Sequence, residues 1–166
     1  MEPKPVINIA DIELSSHKHG DSFEAKLGSM ASAIGAKQLG CRLTVLPPGK
    51  KGWPFHNHHA NEEMFFILEG SGTYRIGDNT YPIEQGDLLA APAGGVETAH
   101  QIVNSSQAPL KYLAISTMCE PDIMEYPESN KFGAVAGSAP GGNKASRTFS
   151  KFANQESGLG YWDGES

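Results

Sequence analysis

Residues 54–70 read Pro54-Phe55-His56-Asn57-His58-His59-Ala60-Asn61-Glu62-Glu63-Met64-Phe65-Phe66-Ile67-Leu68-Glu69-Gly70, and the rest of the chain is organised around them. His56 and His58 are two residues apart. In an extended strand, side chains at i and i+2 point to the same face. Both imidazoles can therefore reach one point, while His59 points to the other side. Glu63 follows a short polar turn, so the chain can fold back and add a carboxylate to that face. Glu63 also opens an apolar run, residues 63–68, that is apolar on both parities and reads as a strand covered on both faces. A second stretch answers the first: Gly86-Asp87, then Pro92-Ala93-Gly94, then His100-Gln101-Ile102-Val103-Asn104. Together they point to His56, His58, Glu63 and His100 around one metal ion.

Three neutral imidazoles and a carboxylate suit one divalent transition metal ion: zinc, iron, manganese or nickel, with copper and cobalt also compatible. Four protein ligands leave an octahedral ion two positions for water or substrate. An open position is what separates a catalytic site from a structural one.

Outward from this stretch, the chain reads as short strands. Residues 39–46 (LGCRLTVL) alternate Cys41, Leu43 and Val45 against Arg42 and Thr44. Residues 73–76, 80–83, 88–91, 99–103 and 110–117 are further strands, with Gly77-Asp78-Asn79 a hairpin turn. That makes about eight strands between residues 39 and 117, with turn signals every ~8–12 residues, the pattern of a sandwich or barrel. No strand–helix alternation suggests a doubly wound sheet. Before this core, residues 5–10 (PVINIA) read as an edge strand, 15–21 as a polar loop, 22–27 as another strand, and 28–38 as weak helix or loop. After Met118 the composition shifts to Pro, Gly and Ser, so 119–166 reads as an irregular tail whose aromatics, Phe149, Phe152, Tyr161 and Trp162, pack back on a surface. The division expected is 1–38 as an N-terminal extension packing on the barrel, 39–118 as the core, and 119–166 as a C-terminal extension of the same single domain.

The chain has 166 residues and a net charge of -6. That balance argues against non-specific binding to nucleic acid or an anionic membrane. No apolar run reaches the ~18 residues of a membrane span. The N-terminus lacks the marks of a signal peptide, so a cytoplasmic location is the default expectation. The two cysteines, Cys41 and Cys119, form no CxxC, and Cys41 reads as a buried, inert thiol.

The two stretches resemble the two motifs of the cupin family. His56, His58, Glu63 and Gly70 match the first; the leading Gly, Gly49, is displaced by one. Gly86, Pro92, Gly94, His100 and Asn104 match the second, with an insertion of three residues within 95–98. More loosely, nearly the whole chain resembles a subgroup of bacterial single-domain cupins, sharing a segment with Asp122, Tyr126, Pro127, Ser129 and Lys131 and an aromatic C-terminus. The resemblance implies an all-β double-stranded β-helix, that is, a jelly-roll or cupin barrel, with an N-terminal strand extension. It also implies a homodimer paired through edge strands and a small-molecule substrate or ligand. Some members of the subgroup carry a sugar-phosphate-isomerase label. The chemistry expected is therefore isomerase-like action on a hydroxy-carbonyl compound, with an iron-dependent dioxygenase or a non-enzymatic ligand binder or sensor as alternatives.

Other residues carry plainer readings. Glu62 faces solvent or accepts from a ligand histidine, and His59 lies at the surface. Asn104 ties a turn, and Asp87 caps one. Thr98 is a hydroxyl near the third histidine. Phe65 and Ile67 share the parity of Glu63 and should line the barrel interior. His17 and His19 form a second His-x-His pair, with no carboxylate or third histidine at ligand spacing. They read as a mobile polar loop, or as a lid over the metal. Arg42 and Arg75 are the cations to watch for an anionic substrate, with a surface position the simpler reading of each.

Overall fold

A computed structural model describes residues 3–165. Its strands form where residues alternate or are β-branched, and stop where glycine or proline interrupts. In chain order they are β1 (Ser15–His19), β2 (Phe23–Ser29), β3 (Leu39–Leu46), β4 (Asn57–His58), β5 (Glu63–Glu69), β6 (Ser71–Ile76) and β7 (Asn79–Glu84). They continue with β8 (Leu88–Ala91), β9 (His100–Val103), β10 (Leu110–Thr117), β11 (Asp122–Tyr126), β12 (Lys131–Ala136) and β13 (Phe149–Asn154). Among the described residues the helical segments are three-residue 3-10 turns, such as Ser32–Ile34 and Val96–Thr98. None is long and apolar enough to cross a membrane.

The result is an antiparallel jelly roll. One sheet has the order β1-β2-β3-β10-β5-β8. Facing it are β7-β6-β9 and β13-β12-β11-β4, and a bridge between His56 and His100 joins these two groups into one layer. Between the layers lies a core of Leu46, Phe65, Ile67, Tyr74, Ile83, Leu89, Ile102, Leu110 and Tyr112. Each such side chain contributes about 1.5–3 kcal/mol by leaving water. Tyr74 adds a tie between the layers, its hydroxyl donating to Ala90 O at 2.7 Å. At the β5–β6 turn Gly70 takes φ +86°, and a side chain there would run into Pro109 O, so the residue is fixed by backbone and space together.

Several elements differ from the sequence reading. Residues 5–10 are not a strand; they are extended chain leading into a 3-10 turn, Ile9–Asp11. The polar stretch expected as a loop at 15–21 is mostly β1, paired with β2 from Ser15 opposite Leu27 to His19 opposite Phe23. All five of its residues are exposed, so it carries no apolar parity to reveal it. Residues 119–154, which read as irregular, supply three strands of the second layer. In β5, Phe65 and Ile67 point inward as expected, but Met64 and Phe66 remain 38% and 37% exposed. Their face is therefore not covered within the chain. In β3 the polar parity, Arg42 and Thr44, faces the interior, where it lines a cavity. Leu43, of the opposite parity, is buried on the outer side. Opposite Leu43 lies Gly28, and a side chain at Gly28 would run into Ile12 and Leu14. The N-terminal segment thus passes over this part of the outer face.

Candidate metal centre

The candidate ligands come from three elements. His56 and His58 flank Asn57 at the entry to β4, Glu63 opens β5, and His100 opens β9. Backbone hydrogen bonds join two of them directly: His100 N donates to His56 O at 2.8 Å, and His56 N to His100 O at 3.2 Å. The Pro92–Gly94 turn supports the pair, since Gly94 N donates to His58 O at 2.9 Å and Asn57 Nδ2 donates to Gly94 O at 2.9 Å. The insertion before His100 is absorbed in the turn Val96–Thr98, where Thr98 Oγ1 donates to Gly95 O at 2.8 Å.

In His56, His58 and Glu63, one ligand atom from each lies within 4.8 Å of those of the other two. His100 stands beside them, with Nε2 3.0 Å from Glu63 Oε2. The His58 Nε2 atom is 3.6 Å from the same oxygen. Ring centres of His56 lie 5.0 Å from His58 and 4.9 Å from His100.

The other ring nitrogens decide what this cluster can hold. His56 Nδ1 donates to Pro54 O at 2.8 Å, and His100 Nδ1 to Thr98 O at 3.2 Å. His58 Nδ1 donates to Asp122 Oδ2 at 2.6 Å. A carbonyl oxygen only accepts, so the proton of His56 and of His100 sits on Nδ1. That leaves Nε2 lone pairs directed at a carboxylate, an arrangement that needs a positive charge between them. Oriented Nδ1–H groups of this kind are the usual support of metal-bound imidazoles. Burial, reinforced by the neighbouring His100, holds His56 down at about 3, so a proton is a poor occupant there. Burial works against ionised Glu63, but the three imidazoles around it, His100 foremost, hold it at about 2. The donor set fits a divalent transition metal, and the cluster could hold one.

Asp122 has one fixed task in this arrangement. Besides His58 it accepts from Ala60 N and Asn61 Nδ2, both at 2.9 Å. Burial opposes its charge, yet the bonds from His58 and Asn61 hold its carboxyl below the usual range. In turn it raises His58 against the effect of burial. The spacing of the histidines gives no sign of Asp122, which lies 64 residues from His58 in the chain. Tyr126 also escapes a reading of the two histidine stretches: its ring stacks on His56 at 5.9 Å and 14°.

A cavity of about 490 Å³ opens over the cluster, lined by Trp53, Phe65, Tyr112 and Tyr126 and by the loop 140–143. Burial pushes the phenols of Tyr112 and Tyr126 up, so both stay neutral donors. It also raises the Cys41 thiol, in keeping with an inert cysteine.

Residues 42–116 match the cupin domain model. They are a cupin domain. The fold extends the likeness beyond that stretch. A protein proposed to be a sugar phosphate isomerase, from Acidithiobacillus ferrooxidans, superposes with a TM-score of 0.79 at 24% identity, covering 94% of this chain and 96% of its own. At that identity the likeness is one of fold. In sequence, the chain is 33% identical over 72 residues to an uncharacterized protein of Methanocaldococcus jannaschii. It is 31% identical over 70 residues to an oxalate-binding protein of Thermotoga maritima. The matches cover 43% and 42% of this chain, and about half, 54%, of the length of each relative.

Of the remaining polar sequence candidates Arg42 lines the cavity, and the others lie apart from it. His59 bonds Glu125 at 2.9 Å and is exposed, and Glu62 is exposed. Asn104 is fully buried and ties the chain, donating to Leu46 O and Ala108 O. Asp87 Oδ2 accepts from Glu84 N and closes its turn. Thr98 is occupied by the inserted turn. Arg75 pairs with Glu128 at 2.7 Å and lies over the Phe55 ring at 4.4 Å, which makes it a structural arginine.

Proposed function

We propose that His56, His58, Glu63 and His100 together hold one divalent transition metal, and that the protein is a metal-dependent enzyme acting on a small hydroxy-carbonyl compound. The observation that carries this reading is the set of Nε2 atoms turned toward Glu63 while each Nδ1 is tied to an oxygen. A bound divalent ion would polarise a carbonyl and its neighbouring hydroxyl, as isomerisation of a sugar phosphate requires. The chain's own residues position the substrate. Tyr112 and Tyr126 line the cavity beside Trp53 and Phe65, and Asp122 fixes the His58 ring. The likeness of fold to the Acidithiobacillus protein agrees with this reading.

A second reading, an iron-dependent dioxygenase, is favoured by one feature. Glu63 is the only carboxylate on the cavity wall, and Glu62 and His59 both point elsewhere, so a spare protein base is missing among the described residues. Chemistry on oxygen needs no such base. The test is to load the protein with iron(II) or manganese(II) and follow two signals. Exchange of substrate carbon-bound hydrogen with deuterated water is expected for isomerisation. Oxygen uptake without exchange would replace that reading with the dioxygenase, and neither signal would leave a ligand binder.

Pairing of two copies belongs to the same proposal. The free edge at β8 and the uncovered side chains of Met64, Phe66 and Leu88 support it. Light scattering at micromolar concentration should give twice the chain mass, and a monomer would refute the pairing.

A further inference from the structure

We propose that the cavity takes a small bifunctional anion, and that Arg42 and Thr44 hold the charged end lying away from the metal centre. This deepens the metal-site reading above and rests on it.

Arg42 is in the middle of β3 on the inward parity. Its guanidinium lies 6.0 Å from the Trp53 ring centre, and Nη2 donates to Gly141 O at 3.2 Å. All three residues line the cavity. The carbonyl is a neutral acceptor using one arm of a five-donor fork. Among the described residues Arg42 makes no ion pair, whereas Arg75 has Glu128. A conformationally costly arginine directed into a cavity without a carboxylate partner is suited to one supplied from outside.

A second observation sits two residues away on the same strand face. Thr44 is 1% exposed and also lines the cavity, and its buried Oγ1 makes no hydrogen bond of good geometry, the Tyr112 phenol being its nearest polar neighbour. Buried hydroxyls are nearly always paired, and a ligand oxygen would pair this one.

Charge supports the same ligand class. The chain carries a net charge of -6. Yet the cavity wall has Arg42 and Lys37 as cations and Glu63, committed to the histidine cluster, as its one acid. A concave, low-dielectric wall of one sign concentrates the opposite ion.

Register sets the length of the ligand. Arg42 lies opposite Ala114, and Ala114 opposite Phe65, two residues beyond Glu63. Strand spacing then separates the Arg42 and Glu63 Cα atoms by about 12 Å. The two side chains close much of that gap, so one short molecule can reach both ends. Its near end would offer oxygen donors to the metal, such as a hydroxyl beside a carboxylate. Its far end would be a carboxylate or a phosphate.

Three probes share a 2-hydroxycarboxylate end and differ beyond it: lactate ends in a methyl group, malate in a carboxylate, and 3-phosphoglycerate in a phosphate. Their affinities for the cobalt-loaded full chain can be measured by calorimetry, with the cobalt visible spectrum as a check on the metal. Malate or 3-phosphoglycerate should bind at least about tenfold more tightly than lactate, and the larger gain identifies the anion. Arg42→Gln should erase that gain and leave lactate unchanged. Arg42→Lys should keep more of the phosphate gain than of the carboxylate gain, because an ammonium is a point charge. Thr44→Val should lose a few-fold. Equal affinity for the three probes in the unaltered protein would overturn the proposal. So would an Arg42→Gln variant that weakens lactate as much as malate. Failure to take up cobalt would count against the metal reading alone. Arg42 would then be judged on the metal-free chain, where malate should still bind several-fold better than lactate and equal binding would overturn the proposal.

Discussion

Two His-x-His pairs occur in this chain, and they differ in almost nothing but their surroundings. His17-Lys18-His19 lies in β1 and His56-Asn57-His58 at β4, and each puts two imidazoles on one side of an extended segment. The first pair is exposed on a hairpin. His17 rests beside the Trp53 ring at 5.1 Å, and Lys18 meets Glu24 at 3.6 Å in an ion pair open to solvent. The second pair is held. Pro54 O and Asp122 orient its rings, and Glu63 and His100 converge on its free nitrogens. A metal site is thus made less by the motif than by the acceptors behind each ring and the groups brought to meet it.

The most severe test of that contrast exchanges the fate of the two pairs. His56→Ala with His58→Ala should abolish metal binding, measured by elemental analysis after gel filtration. His17→Ala with His19→Ala should leave metal content unchanged and shift stability by no more than about 0.5 kcal/mol, as for ordinary surface changes. Equal losses in both variants would mean that the exposed pair takes part.

A gentler change removes one supporting acceptor. Asp122→Asn keeps the shape but cannot hold the His58 ring as a carboxylate does. Metal affinity should fall about 10–100-fold, read by competition with a chromophoric chelator. An unchanged affinity would make Asp122 a folding residue only.

A third contrast lies in the pH profile of the metal-free protein. His56 is held at about 3 in the fold against 6.5 unfolded. Below about pH 6.5 the unfolded chain therefore takes a proton that the fold refuses, and stability falls. Glu63, held at about 2 against 4.5, adds a contribution that is present above pH 4.5 and is lost as the pH drops toward 2. His58 is raised, so its contribution is full below pH 6.5 and is lost as the pH rises through its folded value. Thermal melts of metal-free protein should peak near about pH 6.5. The His17 and His19 variant should keep that peak, and a His56→Gln variant should flatten its acidic side.

These contrasts also mark what could be read before folding. Alternation and turn residues placed the strands between residues 39 and 117, and the spacing of His56, His58 and Glu63 gave a cluster that could hold a metal. Periodicity could not say which parity of β3 faces inward, because Arg42 and Thr44 line a cavity in the interior instead of facing solvent. The β1 strand was hidden because SSHKH has no apolar side to alternate. The strands β11 to β13 were masked by the glycine and proline between them. Asp122 could not be tied to His58 because only the pairing of β11 with β4, Met124 opposite His58, brings them together.

Metal content decides the ligand assignment most directly. Protein purified without a histidine tag, and without added metal, should carry about one transition metal ion per chain by elemental analysis. Chains that stay empty and refuse zinc, iron, manganese and nickel when supplied, while remaining folded, would contradict it.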